Sequence, residues 1–425
     1  MSEPLKIEEI IEQVVLVGVS QQENDDAEDS LTELAELAET AGAQVVGMTI
    51  QNRESVHPGT YVGKGKLQEL RQMVLELEAT GIICDDELSP AQLRNMEEIL
   101  ECKVMDRTLV ILDIFASRAS TSEGKIQVEL AQLKYRMSRL IGLGISMSRL
   151  GGGIGTRGPG EKKLEMDRRL IKSRIAQLNR ELSQVQMHRE VTRGQRERSQ
   201  VKVAAIVGYT NAGKSTLLNR LTHASVLEED KLFATLDPTT RNLKLGSGQE
   251  ILLTDTVGFI RKLPHHLIEA FRSTLEEAKY ADIIIHVVDS SNPQREKQMH
   301  IVYKTLQNLG VSGKKMITLF NKQDQVEEDA VGKDAKADKT LKISAKTGEG
   351  LEQLLEVLEE ILREDKQFLE GIFPYDKGGQ LTVIRKYGEL LEEEYRENGI
   401  YVKAFVPVEL YKNLEVNLEK VPKRE

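Results

Sequence analysis

Cysteine is scarce in this sequence, which has only Cys84 and Cys102 among its 425 residues. Two thiols without the spacing of a metal-binding motif exclude a disulfide framework and predict reduced cysteines. Long apolar runs are missing as well, since no stretch approaches the roughly 18 residues of a membrane-spanning helix. The opening MSEPLKIEEI is acidic and lacks the apolar region of a secretory signal. We therefore expect a cytoplasmic protein without a membrane span.

Aromatic residues are also few, at 4% of the chain, and the charge is unevenly distributed. The net charge is −10, yet the segment from Lys134 to Gln200 contains 16 Lys and Arg against 6 Asp and Glu. A basic segment within an acidic protein is typical of an element that binds a polyanion, although a solvated helix face has the same composition. With so few aromatics, contact with RNA would involve its backbone and shape more than base stacking.

Residues 1–119 predict a small α/β domain. Short apolar runs at Val14–Val19, Ala43–Ile50 and Gly81–Asp86 have the composition of buried parallel strands. The segments between them have helical spacing, and each ends at a glycine, as helices commonly do. Nothing in this domain has the spacing of a catalytic site.

Residues 120–199 predict an antiparallel coiled-coil hairpin, because apolar residues recur there at alternating steps of four and three. They are Ile126, Leu130, Leu133, Met137 and Leu140, followed by Leu164, Ile171, Ile175, Leu178, Leu182 and Val185. Between the two series lies LGGGIGTRGPGEKKLEMDRR (residues 150–169), at the predicted tip. This glycine loop does not follow a strand, so it fails the context test for a nucleotide-binding loop.

We expect the tip to contact RNA, with glycines that let the backbone approach closely and basic residues that neutralise phosphates. The basic residues are Arg149, Arg157, Lys162, Lys163, Arg168 and Arg169. The alternative is a flexible connector whose glycines only allow the chain to reverse.

A second glycine loop has the strand and helix that the first lacks. The apolar strand Val203–Val207 runs into GYTNAGKST, which begins at Gly208 and is followed by a leucine-rich helix. Backbone N–H groups of such a loop cradle phosphates, Lys214 supplies charge to the β- and γ-phosphates, and Ser215 can bind Mg²⁺. The predicted loop residues are Gly208, Tyr209, Thr210, Asn211, Ala212, Gly213, Lys214, Ser215 and Thr216. The sequence from residue 200 to 364 thus predicts a doubly wound phosphate-loop domain.

Three further motifs predict GTP as the nucleotide. In LFNKQD, which contains Asn321, Lys322 and Asp324, a carboxylate at a strand end can accept two hydrogen bonds from guanine, and adenine has no matching donors. ISAKTGEG resembles the second guanine-contacting loop, through Ser344, Ala345 and Lys346. In LLTDTVGF, Asp255 is placed for the Mg²⁺ shell and Gly258 for a backbone contact to the γ-phosphate, with Thr256 and Val257 between them.

In this order, the motifs resemble those of the translation-factor-related GTPase class. KLFATLDPTTR resembles the first switch of the Obg–HflX superfamily, and the helical insert, GGGIGTRGPGEKKLE and DTVGFIRKLPHHLIEAFRSTLEEA resemble the HflX family itself. The resemblance implies a GTP-binding switch formed by Phe233, Ala234, Thr235, Leu236 and Asp237. It implies Mg²⁺ as the cofactor, held by Ser215, Thr235 and Asp255, with Lys214, Thr235 and Gly258 as catalytic residues. Thr239 and Thr240 are rival candidates for the switch threonine.

The resemblance also implies binding to the large ribosomal subunit and its RNA, with separation or rescue of stalled ribosomes, and we expect a monomer. Phe259 stands where many GTPases have a glutamine that orients the attacking water, so hydrolysis should be slow without a partner, a rearrangement or a K⁺-type cation. Two alternatives are an RNA-remodelling NTPase and a GTP-dependent protein-binding switch that dimerises through the coiled coil. Residues 365–425 predict a small C-terminal α+β module of the order strand, helix, strand. Its predicted strands are QLTVIRKYG and IYVKAFVP, and its predicted helix is ELLEEEYRENG.

Overall fold

The structure is a computed structural model that describes residues 11–21, 26–150, 159–198, 201–222, 232–233, 236–264, 267, 275–326, 333–364, 366–416 and 418. Within residues 141–150, 159–164, 190, 192–198 and 409 it describes the backbone only. The chain forms two compact units. The first comprises Met1–Met187, Glu229–Asp237 and Arg261–Arg272, and the second comprises the remainder.

The first unit contains a four-stranded parallel sheet with the strand order β2-β1-β3-β4. Its strands are β1 (Gln13–Ser20), β2 (Gln44–Asn52), β3 (Gly81–Cys84) and β4 (Lys103–Asp106). Its helices are α1 (Ala27–Thr40), α2 (Lys64–Glu76), α3 (Pro90–Leu100) and α4 (Arg107–Arg118). The three predicted strands are present. The fourth, KVMD, was not predicted, because its two apolar residues stand between charged ones and form no apolar run.

Two long helices follow, α5 (Ser122–Leu150) and α6 (Pro159–Arg198). Near its middle α5 is fixed to the sheet by Asp106, which is fully buried and accepts hydrogen bonds from Tyr135 Oη at 2.7 Å and Arg139 Nη2 at 2.6 Å. Glu129 on α5 accepts two hydrogen bonds from Arg174 on α6, at 2.7 and 2.8 Å. These contacts fit a hairpin, whereas its coiled-coil packing stays a prediction.

The second unit contains the phosphate-loop domain, a six-stranded sheet of order β10-β9-β8-β5-β7-β6 that is parallel except for β6. Its strands are β5 (Lys202–Gly208), β6 (Thr239–Lys244), β7 (Glu250–Asp255), β8 (Ile283–Asp289), β9 (Lys315–Asn321) and β10 (Lys339–Lys342). Its helices are α7 (Lys214–Thr222), α8 (Glu277–Tyr280), α9 (Arg295–Asn308) and α10 (Leu351–Glu364). The predicted parallel sheet is confirmed. The polar edge strand β6, TTRNLK, was not predicted.

The C-terminal α+β module is confirmed, but the predicted assignment of its segments is wrong. Its elements are β11 (Lys366–Phe373), α11 (Gly379–Tyr387), β12 (Glu389–Arg396), β13 (Gly399–Pro407) and α12 (Val408–Glu415). The predicted helix ELLEEEYR is the edge strand of a sheet of order β11-β13-β12. Its glutamates pair across the sheet, as Glu392 does with Lys403 at 2.8 Å, and tertiary pairing outweighs the helix propensity of glutamate. Among the described helices of the whole chain, none is long and apolar enough to cross a membrane.

Candidate functional site: a nucleotide-binding loop with guanine-reading motifs

The phosphate loop lies where the central strand β5 ends and α7 begins. Its backbone enters the left-handed region at Asn211 (φ 59°) and Gly213 (φ 91°), which turns the N–H groups toward the centre of the loop. Gly213 also has no room for a side chain, because a Cβ there would lie 2.3 Å from Asn321 Nδ2. The predicted sequence motif is therefore a strand–loop–helix arrangement that can bind phosphates, with the positive end of α7 facing them.

Two side chains at the start of α7, those of Lys214 and Ser215, belong to the predicted phosphate and Mg²⁺ sites. Lys214 is buried, and its Nζ donates to the carbonyl oxygen of Tyr209 at 2.7 Å. Burial lowers the pKa of Lys214 to about 8, against the opposing effect of Asp255, so a nearby anion would restore its full charge. Ser215 Oγ donates to Asp255 Oδ2 at 2.7 Å. A hydroxyl beside a carboxylate provides the oxygen ligands that Mg²⁺ prefers, so these residues fit the ion.

The DTVG segment packs directly against the phosphate loop. A Cβ on Gly258 would lie 2.9 Å from Thr210 Cα and 3.0 Å from Lys214 Nζ, so only glycine fits there. Phe259 N–H donates to Gly208 O at 3.0 Å, and Thr210 N–H donates to Phe259 O at 2.8 Å. The Phe259 side chain is 2% exposed. Its ring is held within the fold, and its effect on hydrolysis stays a prediction.

The guanine-reading motifs converge at the ends of β9 and β10. Asn321 is buried; its Nδ2 donates to Ala212 O at 2.9 Å, and its Oδ1 accepts from Ala345 N–H at 2.9 Å. It thereby joins the phosphate loop to the second guanine loop, a positioning role that the sequence did not reveal. Asp324 is exposed, and Ser344 Oγ donates to its Oδ1 at 2.6 Å. That bond fixes the orientation of the Asp324 carboxylate.

Other predicted site residues are placed as follows. Lys322 has φ 63° and pairs with Asp289 at 2.7 Å. Lys346 is exposed, and Thr216 is half-buried. Thr256 Oγ1 donates to Ile206 O at 2.8 Å, and Val257 is buried. Their contacts hold the DTVG backbone, and neither side chain faces outward.

The first-switch candidates divide between the two units. Ala234 and Thr235 lie outside the described residues. Phe233 and Leu236 are buried in the first unit, where the Phe233 ring meets that of Phe115 edge-on at 4.7 Å, and Asp237 binds residues of the same unit. The rivals Thr239 and Thr240 belong to β6, and Thr240 Oγ1 shares a hydrogen bond of 2.9 Å with Thr254 Oγ1.

Of the six predicted tip residues, the structure describes the side chains of two. Arg169 pairs with Glu165 one helical turn earlier at 3.3 Å, and both side chains are exposed. Arg168 lies on the same described part of α6. The tip residues Arg149, Arg157, Lys162 and Lys163 fall outside the described side chains, and their proposed contact with RNA stays a prediction.

Three family models match consecutive parts of the chain. Residues 28–116 match the GTP-binding GTPase N-terminal model, and residues 118–196 match the GTP-binding GTPase middle region. Residues 203–322 match a model described as a 50S ribosome-binding GTPase. The matches follow the order of the predicted N-terminal domain, helical hairpin and phosphate-loop domain.

Named relatives match over almost the whole length. GTPase HflX of Lacrimispora saccharolytica is 64% identical, with 99% of each chain covered. GTPase HflX of Caldanaerobacter subterraneus subsp. tengcongensis is 49% identical, covering 95% of this chain and 93% of that protein. Among solved structures, the complex of SsGBP with GDP is 26% identical, with a TM-score of 0.47, and covers 83% of this chain and 98% of that one.

Proposed function

Because the chain belongs to the HflX family of GTPases, we propose that it binds the large ribosomal subunit and separates or rescues stalled ribosomes. The chain is a GTPase, which hydrolyses GTP to GDP and phosphate. The observation that carries the ribosomal part is the pairing of this nucleotide site with the basic segment Lys134–Gln200, in a chain whose net charge is −10. Ribosomal RNA is the polyanion that such a segment would bind.

The proposed chemistry places each group around the terminal phosphates. Lys214 would pair with the β- and γ-phosphates, and the Gly258 N–H would contact the γ-phosphate. Ser215, Asp255 and the switch residue Thr235 would hold Mg²⁺, which supplies charge neutralisation on the phosphate oxygens when it is bound. Asp324, oriented by Ser344, would accept the hydrogen bonds of guanine. The hydroxyl and carboxylate geometry at Ser215 and Asp255 supports this arrangement.

Slow hydrolysis in isolation is part of the proposal. The buried Phe259 lacks a polar group that could position the attacking water. The ribosome, a rearrangement of the switch, or a K⁺-type cation would have to provide that function. We propose that the ribosome provides most of this function, because the chain would then hydrolyse GTP only when it is bound to its target.

We propose a division into residues 1–119, 120–199, 200–364 and 365–425, with the chain acting as a cytoplasmic monomer on ribosomes. The hairpin tip, from residue 150 to 169, would enter a cavity of the large subunit. An RNA-remodelling motor would need a second motor domain, and among the described residues only one nucleotide-binding core is present. A switch that dimerises through the coiled coil would have a hairpin with a neutral tip, whereas the tip here is basic and glycine-rich.

Sucrose-gradient sedimentation with 70S ribosomes tests the proposal. With a non-hydrolysable GTP analogue, the protein should migrate with the large subunit, and the 70S peak should decrease in favour of separate subunits. With GDP, most of the protein should stay at the top of the gradient. Failure to sediment with any ribosomal particle in either state would overturn the proposal, and sedimentation without loss of 70S would limit it to binding.

A further inference from the structure

The carboxylate of Asp237 binds the residues that begin the first hairpin helix. Its Oδ2 accepts from Ser120 N–H at 2.9 Å, Ser120 Oγ at 2.8 Å and Thr121 N–H at 2.8 Å, and its Oδ1 accepts from Thr121 Oγ at 2.6 Å. Thr121 in turn caps α5 by accepting from Gly124 N–H at 2.9 Å. A negative charge at a helix N-terminus is favourable, so Asp237 completes this cap from a distant part of the sequence.

The helix is shaped to receive this carboxylate. A Cβ on Gly124 would lie 2.2 Å from Asp237 Oδ1, so the glycine leaves the space that Asp237 occupies. Nearby Phe233, in the left-handed region at φ 54°, buries its ring against Phe115 of α4. A non-glycine residue in that conformation persists where its surroundings hold it. A polar anchor therefore attaches this segment to the start of the hairpin, and an aromatic anchor attaches it to α4.

The anchored segment is the proposed first switch. Thr235, the candidate Mg²⁺ ligand, is separated from Asp237 by one residue, and β6 begins two residues after Asp237, at Thr239. Consecutive Cα atoms are 3.8 Å apart, so Thr235 and Asp237 cannot separate by more than about 7 Å. Thr235 is thus linked to the Asp237 cap by only two peptide units.

We propose that Asp237 is a positioning residue that couples the first switch to the hairpin, so that the bound nucleotide alters the start of α5. A helix of 29 residues is about 43 Å long at 1.5 Å per residue. A small tilt of its first turn therefore displaces its far end by a larger distance. The inference rests on the proposed function in one respect: the far end of the hairpin must bind the ribosome. The coupling itself needs only nucleotide and the chain.

Hydrogen exchange on the full-length protein tests the coupling without ribosomes. In the wild type, amides 120–126 should differ in exchange rate at least fivefold between GDP and a non-hydrolysable GTP analogue with Mg²⁺. Asp237→Ala should reduce that difference to less than twofold. Asp237→Asn should give an intermediate value, since its amide oxygen can still accept hydrogen bonds, and it serves if the alanine variant does not fold.

Ser89→Ala is the matched control. Ser89 caps α3 in the same domain by accepting from Gln92 N–H at 3.3 Å, and it belongs to neither switch. Its loss should speed exchange at the start of α3 and leave the nucleotide-dependent difference at 120–126 unchanged. If a folded Asp237→Ala protein kept the wild-type difference, or the wild type showed none while binding both nucleotides, the coupling would be disproved.

A second readout separates this inference from the proposed function. The ratio of large-subunit affinities with GTP analogue and with GDP should fall at least tenfold in Asp237→Ala, and Ser89→Ala should keep the wild-type ratio. If the wild type bound no ribosomal particle, the proposed function would fail, and the exchange experiment would still decide whether Asp237 couples the switch to α5.

Discussion

At the residue scale, the nucleotide motifs could be read from the sequence because each one is local. A phosphate loop or NKQD has its functional groups within a few adjacent positions. Two long-range contacts could not be read in this way. Asn321 bonds Ala212, 109 positions away, and Asp237 bonds Ser120, 117 positions away. Such pairs depend on the folded topology, and nothing in either local sequence marks them.

Asp324 gives the sharpest test of base selection. Asp324→Asn should weaken GTP binding at least tenfold and shift preference toward xanthosine triphosphate, because the amide can donate to the xanthine carbonyl that replaces the guanine amino group. Competition between fluorescent GTP and the xanthine nucleotide measures the change. Asp376→Asn, an exposed carboxylate of the C-terminal module, is the control and should bind GTP as the wild type does. Equal binding of ATP and GTP by the wild type would refute guanine selection.

His286 should make the stability of the phosphate-loop domain pH-dependent. Burial lowers the pKa of this fully enclosed imidazole to about 4, with Asp334 opposing and Lys214 reinforcing the shift, and its ring packs edge-on against Tyr303 at 5.3 Å. The unfolded chain, with an ordinary histidine pKa of about 6.5, binds the proton more readily. The stabilisation is therefore complete above about pH 6.5 and is lost as the pH falls toward 4, by on the order of 3 kcal/mol.

Urea midpoints of the wild type and of His286→Gln, measured at pH 7 and pH 5, check this expectation. The variant lacks the titrating group, so its midpoint should fall less between the two pH values than that of the wild type. Parallel decreases in both proteins would assign the pH dependence to other groups.

At the element scale, prediction succeeded for the apolar strands and failed for two polar edge strands. Strands such as β8, IIIHVVD, are apolar because both faces are covered, and their composition identifies them. The edge strands β6 and β12 are polar, and pairing with β7 and β13 makes them strands. At α11 a helix was predicted as a strand, because the segment contains β-branched residues. In the structure Leu381 and Ile384, three positions apart, form the buried face of a helix.

The C-terminal module depends on one buried carboxylate. Glu389 is 2% exposed and accepts from Arg363 Nε at 2.7 Å and from Gln249 Nε2 at 3.2 Å. Glu389→Ala leaves these donors without their acceptor, so the free energy of unfolding should fall by about 2–3 kcal/mol. Glu394→Ala removes an exposed pair with Arg396 on the same strand and should cost less than about 1 kcal/mol. Chemical denaturation measures both, and equal losses would contradict the anchoring role.

At the scale of the whole molecule, the match to HflX relatives and the geometry of the nucleotide site both support a GTPase. The nucleotide site could be predicted because its functional groups belong to sequence motifs that lie close together in the fold. The ribosomal target is a proposal that rests on the relatives and on the basic hairpin, and residues 151–158 of the hairpin tip lie outside the described residues. Domain motions and ribosome contacts are properties of assemblies, and a single chain's sequence contains no direct record of them.

Replacing Gly151–Gly160 with a short neutral Gly/Ser linker tests the tip. The variant should bind GTP normally, because the phosphate loop starts at Gly208, and it should lose ribosome splitting. Wild-type binding to large subunits should weaken steeply as salt rises, and the variant should show a slightly smaller salt dependence because it lacks Arg157, one of the six basic residues expected to contact phosphates. If the variant split ribosomes as well as the wild type, the loop would be only a connector.

The most direct test of the central claim is steady-state GTP hydrolysis by the purified protein, alone and with purified large or small ribosomal subunits. We predict slow turnover alone, an increase of at least tenfold with large subunits, and little change with small subunits. Fast turnover by the protein alone, indifferent to either subunit, would contradict a GTPase that is switched on by the ribosome.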